Sequence, residues 1–331
     1  MTNPLRRFAL AALLLTPTAC MTGRYEALPT MTFDQLAAPA PVKKLPLPDS
    51  APPIEIAYVD EGRGPLIVLV HGLGEHLGYW SENLPDLVRR GHRVIAVDLP
   101  GFGRSSKPAA DYSMSQQAGW LAAFLRLVAP DTPAVVVGHS MGGQIALRLA
   151  LDAPELVSAL CLLAPAGIER FSPGESTWIK ENTGTIALAR QDEDQIRAHY
   201  RKNLYGMWVP AAEHHLEERV RLRYTPDFEP YLFAVVRSIH AMLDGPVADA
   251  LPKLPRTLPV VVAFGEVDAM IPNPFLHGGA TADVADEAAR LMPHARVHVL
   301  PELGHMLQVE APERIDALIV QAVDAAAAVS R

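Results

Sequence analysis

The stretch VVVGHSMGG, residues 135–143, decides how this chain is read. A β-branched apolar run stops at a serine flanked by glycines, and a helical pattern follows through residue 151. The spacing is GxSxG, which predicts a sharp strand-to-helix turn with Ser140 at its apex. Gly138 and Gly142 keep the neighbouring chain clear of that turn, and the first amides of the helix face any negative charge that develops beside Oγ.

Working outward, LIVLVHGLG (66–74) is a second buried-type strand running into a His-Gly loop. If that loop lies beside Ser140, the backbone N–H groups of Leu73 and Met141 form an oxyanion hole. Downstream, VVVAFGEVDAMIP (260–272) is another strand, with Asp268 in the loop after it. The segment VHVLPELGHMLQVEAPE (297–313) then reads as strand, turn, His305 and helix start. The order Ser140, Asp268, His305 differs from the orders of chymotrypsin-like and subtilisin-like enzymes.

The HG pair at 71–72, DLPGFGRS (98–105), GHSMGG (138–143), GEVDAMIP and the GH pair at 304–305 together resemble the α/β-hydrolase fold superfamily. The resemblance spans about residues 54–328. It implies an α/β fold with a mostly parallel central sheet flanked by helices, an inserted helical cap, and a Ser140–His305–Asp268 triad. GLGEH (72–76) is also similar to monoglyceride lipases, while DLPGFGRS is closer to esterases, epoxide hydrolases and carbon–carbon hydrolases. Epoxide hydrolases and haloalkane dehalogenases of this fold attack through an aspartate at the elbow. A serine stands here, which disfavours those chemistries.

Several other residues compete for roles. Asp244 is the alternative acid, in the connection from cap to core. His71 and His139 read as structural: His139 points away from Oγ, and His71 braces the oxyanion loop. His214 and His215 are adjacent on a helix and do not share a face, and no HExxH or CxxC pattern supports a metal. No phosphate loop or dinucleotide fingerprint is present, so no cofactor is implied. A net charge of −8 gives no footprint for nucleic acid.

The expected organisation is a signal segment over 1–20, a Pro- and Ala-rich tether over 21–52, core over 53–165, a helical cap over 166–254 and core again over 255–331. Cap helices are expected near 176–189, 192–205, 211–223 and 230–243. Trp178, Tyr205, Met207, Trp208, Tyr231 and Phe233 are the candidate pocket lining. In the signal segment, Arg6 and Arg7 precede an apolar stretch, residues 8–15, too short to span a bilayer. Cys20 stands where a bacterial lipoprotein signal places its lipidated cysteine, although Pro17 occupies a position where leucine is usual. Lipidation implies an anchor at the outer membrane; ordinary cleavage near Ala19 implies a soluble periplasmic or secreted chain. The chain has two cysteines, so Cys161 is left as a small buried hydrophobe.

The leading expectation is a serine hydrolase of hydrophobic acyl or aryl esters. On the same triad the alternatives are a carbon–carbon hydrolase, a lactonase or a cofactor-free perhydrolase. Outside enzymes, the alternative is a binding lipoprotein on a hydrolase fold. The oligomeric state is open.

Overall fold

The computed structural model describes residues 23–48 and 50–329. Eight strands form one sheet in the order β1-β2-β4-β3-β5-β6-β7-β8. They are β1 (Lys43–Leu47), β2 (Ile54–Gly62), β3 (Leu66–Val70), β4 (Arg93–Val97), β5 (Ala134–His139), β6 (Val157–Leu163), β7 (Val260–Gly265) and β8 (Arg296–Leu300). The pairs β1/β2 and β2/β4 are antiparallel, and every other pair is parallel. Strands β3, β5 and β7 are buried at every position, because helices cover both faces of a parallel sheet. This is why they read as continuous apolar runs rather than alternating ones.

Three helices accompany the first half of the sheet: α1 (Leu84–Arg89), α2 (Met114–Val128) and α3 (Met141–Asp152). The insertion between β6 and β7 holds α4 (Pro173–Asn182), α5 (Thr185–Ala189), α6 (Glu193–His199), α7 (Pro210–Arg221) and α8 (Phe228–Asp244). Ser172 and Asp192 start α4 and α6 as capping boxes, each side chain accepting the N–H three residues on. A one-turn π-helix, Tyr200–Leu204, ends the α6 segment and supplies a backbone carbonyl to the site described below. The chain closes with α9 (Thr281–Leu291), α10 (Leu307–Glu310) and α11 (Pro312–Val329). Among the described residues, no helix is long and apolar enough to cross a membrane.

The segment expected to be a tether over 21–52 is, in its described part, folded onto the body. Tyr25, Met31, Phe33 and Leu36 are buried, and residues 43–47 add β1 to the sheet edge. Tyr25 donates its N–H to Glu193 Oε2 at 2.6 Å, and Met31 N–H donates to the Arg221 carbonyl at 3.1 Å. Proline and alanine content suggests a linker, but the apolar anchors spaced among them are enough to bury the strap. One hydrophobic cluster joins Tyr25 of the strap to Tyr200, Tyr205 and Leu216 of the insertion and to Met306 and Val309 beyond β8. Strap, cap and core therefore share a single interface.

Candidate active site

Ser140 follows β5 directly and has φ 51° and ψ −117°, a left-handed conformation that costs a non-glycine residue energy. The turn is held by Ser140 N–H to the Leu163 carbonyl at 2.9 Å and by Ala166 N–H to the Ser140 carbonyl at 3.0 Å. The flanking glycines are required by contact. A Cβ on Gly138 would stand 2.4 Å from the Gly142 carbonyl oxygen, and one on Gly142 would stand 2.4 and 2.5 Å from those of Val70 and His71. The start of α3 thus lies against the end of β3 and the first residue of the loop after it.

His305 lies in the turn between β8 and α10. Its Nδ1–H donates to Asp268 Oδ2 at 2.8 Å, and both side chains are buried. Asp268 Oδ1 accepts the N–H groups of Met270 and Ile271 at 2.7 and 3.1 Å, fixing the carboxylate in the loop after β7. Burial opposes the charged imidazole, but the negative charges of Asp268, Glu75 and Glu310 outweigh it and hold the His305 pKa above its ordinary value. Asp244, the alternative acid, is instead an exposed partner of Lys180.

The insertion also grips the His305 turn. The Leu204 carbonyl accepts the N–H groups of His305 and Met306 at 2.8 and 3.2 Å. Glu310 accepts Met207 N–H at 2.8 Å and Gly304 N–H at 3.1 Å. Gly206 and Gly304 approach so closely that a Cβ on Gly304 would sit 2.2 Å from the Gly206 nitrogen.

His71 braces its loop as expected. Its Nδ1–H donates to the Gly72 carbonyl at 2.7 Å, and Nε2 accepts Leu99 N–H at 3.0 Å, so the ring is the neutral Nδ1–H tautomer. Burial lowers its pKa in agreement with that state. In DLPGFGRS, Asp98 accepts the N–H groups of Leu77 and Arg104 at 2.7 and 2.8 Å, so this motif shapes loops.

Of the six pocket candidates, Tyr231 lines a narrow cavity beside the loop after β3 and donates its hydroxyl to the Gly74 carbonyl at 3.0 Å. Tyr205 does not line that cavity but sits behind its wall, packed on Tyr200 and hydrogen-bonded to His215, which do. Trp208 packs between Tyr205 and Arg201. Trp178, Met207 and Phe233 are 49%, 37% and 38% exposed and are not among the residues that line that cavity. Phe33 and Leu36 of the strap wall the cavity instead. Sequence reading also passed over Glu75, Glu218 and Glu310, all buried acids.

His215 stacks on Tyr79 with ring centroids 3.7 Å apart, and burial pushes its pKa down to about 3. His214 is exposed and pairs with Glu218. Among the described residues, no group of His, Cys, Asp and Glu is arranged to hold a metal ion. Cys161 is free and buried in β6, and burial pushes its thiol up to about 12. Cys20 lies outside the described residues.

A family model for the alpha/beta hydrolase fold matches residues 65–312. The chain belongs to the α/β-hydrolase fold family. It is 32% identical over 256 residues to the dihydrolipoyllysine-residue acetyltransferase component of the acetoin cleaving system of Pseudomonas putida, covering 77% of this chain and 62% of that one. A pimeloyl-[acyl-carrier protein] methyl ester esterase of Methylococcus capsulatus is 31% identical over 263 residues, covering 78% of this chain and 94% of that one. Over 118 residues the chain is 36% identical to a 2-hydroxy-6-oxo-6-(2'-aminophenyl)hexa-2,4-dienoic acid hydrolase of Metapseudomonas resinovorans, covering 35% of this chain and 40% of that one. In the first and last of these, the chain spans less than two thirds of the relative's length. Among solved structures, a probable hydrolytic enzyme of Pseudomonas aeruginosa PAO1 superposes with a TM-score of 0.79 at 27% identity, covering 89% of this chain and 98% of that one.

Proposed function

We propose that this α/β hydrolase cleaves carboxylic esters through an acyl-enzyme on Ser140, preferring hydrophobic acyl or aryl esters. The observation that carries the reading is the 2.8 Å bond from His305 Nδ1–H to Asp268 Oδ2 in a fold whose elbow serine holds a left-handed conformation. With the Nδ1 proton committed to Asp268, Nε2 carries the lone pair that takes the Ser140 proton. Oγ attacks the ester carbonyl, and the N–H groups of Leu73 and Met141 receive the oxyanion. His305 then protonates the departing alcohol, and water activated by the same nitrogen releases the acid.

The Methylococcus capsulatus relative, by its name a methyl ester esterase, agrees with ester chemistry. A carbon–carbon hydrolase is the second reading, favoured by the Metapseudomonas resinovorans relative. The test is a p-nitrophenyl ester chain-length series run beside a dienoic-acid carbon–carbon substrate, with fluorophosphonate labelling of Ser140. Ester turnover that disappears in Ser140→Ala, by about 10⁶-fold for loss of a triad nucleophile, supports the proposal. Turnover of the dienoic substrate alone supports the second reading. Folded protein that neither turns over substrate nor takes the label returns the chain to a binding role.

A further inference from the structure

Beside the proposed triad lies a second carboxylate–imidazole pair. Glu75 is 7% exposed, and His139 is fully buried. Glu75 Oε2 accepts Gly72 N–H at 2.9 Å, while Oε1 lies 2.8 Å from His139 Nδ1, in a contact bent away from ideal hydrogen-bond alignment. On the far edge of the ring, His139 Nε2–H donates to the His305 carbonyl at 2.9 Å. The two imidazoles stand with centroids 4.9 Å apart and planes at 57°.

A carbonyl and a carboxylate can only accept. The His305 carbonyl fixes a proton on Nε2, and the Glu75 carboxylate faces the opposite edge of the ring at Nδ1. Burial pushes the Glu75 carboxyl up, but His139 and the Gly72 N–H outweigh it and hold the group ionised. Gly72 leaves room for the pair, since a Cβ there would stand 2.6 Å from Glu75 Oε1 and 2.8 Å from His139 Nδ1. A single path, Gly72–Glu75–His139–His305, therefore joins the oxyanion loop, the nucleophile elbow and the turn that carries His305.

We propose that Glu75 and His139 are positioning residues that set the distance between the oxyanion loop and His305, acting through the Gly72 N–H and the His305 carbonyl. The proposal rests on the reading of Ser140 and His305 as nucleophile and base. Displacing either loop by about 1 Å costs roughly 100-fold in rate where the reacting groups must stay aligned.

The experiment measures kcat and KM for p-nitrophenyl butyrate in Glu75→Ala, Glu75→Gln, His139→Gln and Ser140→Ala, with circular dichroism to verify folding. Glu75→Ala and His139→Gln are expected to lose about 100-fold in kcat while KM moves less than about threefold. Glu75→Gln is expected to recover to within about tenfold of wild type. Its amide oxygen accepts Gly72 N–H, and its NH₂ faces His139 Nδ1 while Nε2–H stays on the His305 carbonyl. Folded Glu75→Ala and His139→Gln with near-wild-type kcat overturn the proposal, as does a folded Glu75→Gln no better than the alanine. Should Glu75→Ala fail to fold, His139→Gln and Glu75→Gln decide by the same criteria. Persistent turnover in Ser140→Ala removes the triad reading itself, whereas a dead Ser140→Ala beside a fully active His139→Gln removes only the pair.

Discussion

Ala37 donates its backbone N–H to Glu218 Oε1 at 2.6 Å, across 181 residues of sequence. The other oxygen, Oε2, meets His76 Nε2 at 3.0 Å, so one buried carboxylate of α7 ties the strap to the loop after β3. Its pKa sits well below the ordinary value: burial pushes it up, but the charge of His76 and hydrogen bonds from His214, His76 and Ala37 prevail.

Glu218→Gln is expected to lower stability at pH 7 by about 3 kcal/mol, because a buried partner is left uncompensated. The sign of the pH dependence follows from the depressed folded pKa. Stabilisation by the carboxylate is full above the unfolded value of 4.5 and fades as pH falls below it. The wild-type advantage in urea midpoint should therefore narrow between pH 7 and pH 3.5. A gap that holds or widens at low pH would show that the carboxylate's charge contributes nothing.

Gly142→Ala should disable the site while sparing the fold. The added methyl meets two backbone carbonyls at 2.4 and 2.5 Å, and neither is a flexible side-chain end that moves cheaply. Pushing α3 away from the loop after β3 separates Leu73 from Met141, with an expected loss of about 100-fold or more in kcat. Gly119→Ala is the control: nothing lies within 4 Å of its Cβ, and it is exposed within α2. That change should raise stability by up to about 1 kcal/mol and leave kcat alone. Equal kcat in the two variants would remove the argument from contact.

Asp268→Asn should cost about 10⁴ in kcat, the loss known for the equivalent change in a serine protease, because the amide favours the wrong imidazole tautomer. Asp244→Asn should be nearly silent, its carboxylate being an exposed partner of Lys180. The kcat/KM profile adds a second readout. His305 acts as a base only when deprotonated, so activity rises with pH through its pKa, and the raised value puts the wild-type acid limb above 6.5. Asp268, Glu75 and Glu310 raise that pKa, and the rings of His139 and His199 also stand near His305. Removing the Asp268 charge should shift the limb to lower pH. An upward shift would contradict the assigned pairing.

The parallel sheet was legible because β3, β5 and β7 are buried on both faces and read as unbroken apolar runs, each ending in a glycine or histidine turn. Asp268 could be placed because it follows such a run, whereas His305 follows β8, a partly exposed strand, and was placed by the GH pair in the turn after it. For Trp178 and Phe233 the sequence does not discriminate, because exposed aromatics on a helical insertion have the same spacing as a pocket wall. The strap misled for the opposite reason, since four anchors among prolines leave no periodicity to detect. Glu75 sits in plain view in GLGEH, yet its pairing with His139 depends on a contact between residues 64 apart in sequence that no local pattern encodes.

The folded strap changes what an N-terminal anchor would do. Residues 1–22 lie outside the described residues, but Arg6, Arg7, the short apolar stretch after them and Cys20 motivate the proposal that Cys20 carries lipid. Two or more acyl chains, at about 0.8 kcal/mol per buried methylene, anchor a protein stably where one chain does so only reversibly. Tyr25 is already buried against the insertion, five residues beyond Cys20, so the spacer is short and the cap would be held near the bilayer. Cys20→Ser is therefore expected to move the enzyme from the membrane fraction to the soluble fraction. Specific activity on a soluble p-nitrophenyl ester should stay unchanged, because the strap contacts that begin at Tyr25 are retained. Intact-mass analysis of the native protein checks the premise. A chain beginning at Cys20 with acyl mass supports it, and an unmodified chain beginning at Met1, or a lipid-free soluble chain beginning near Cys20, refutes it.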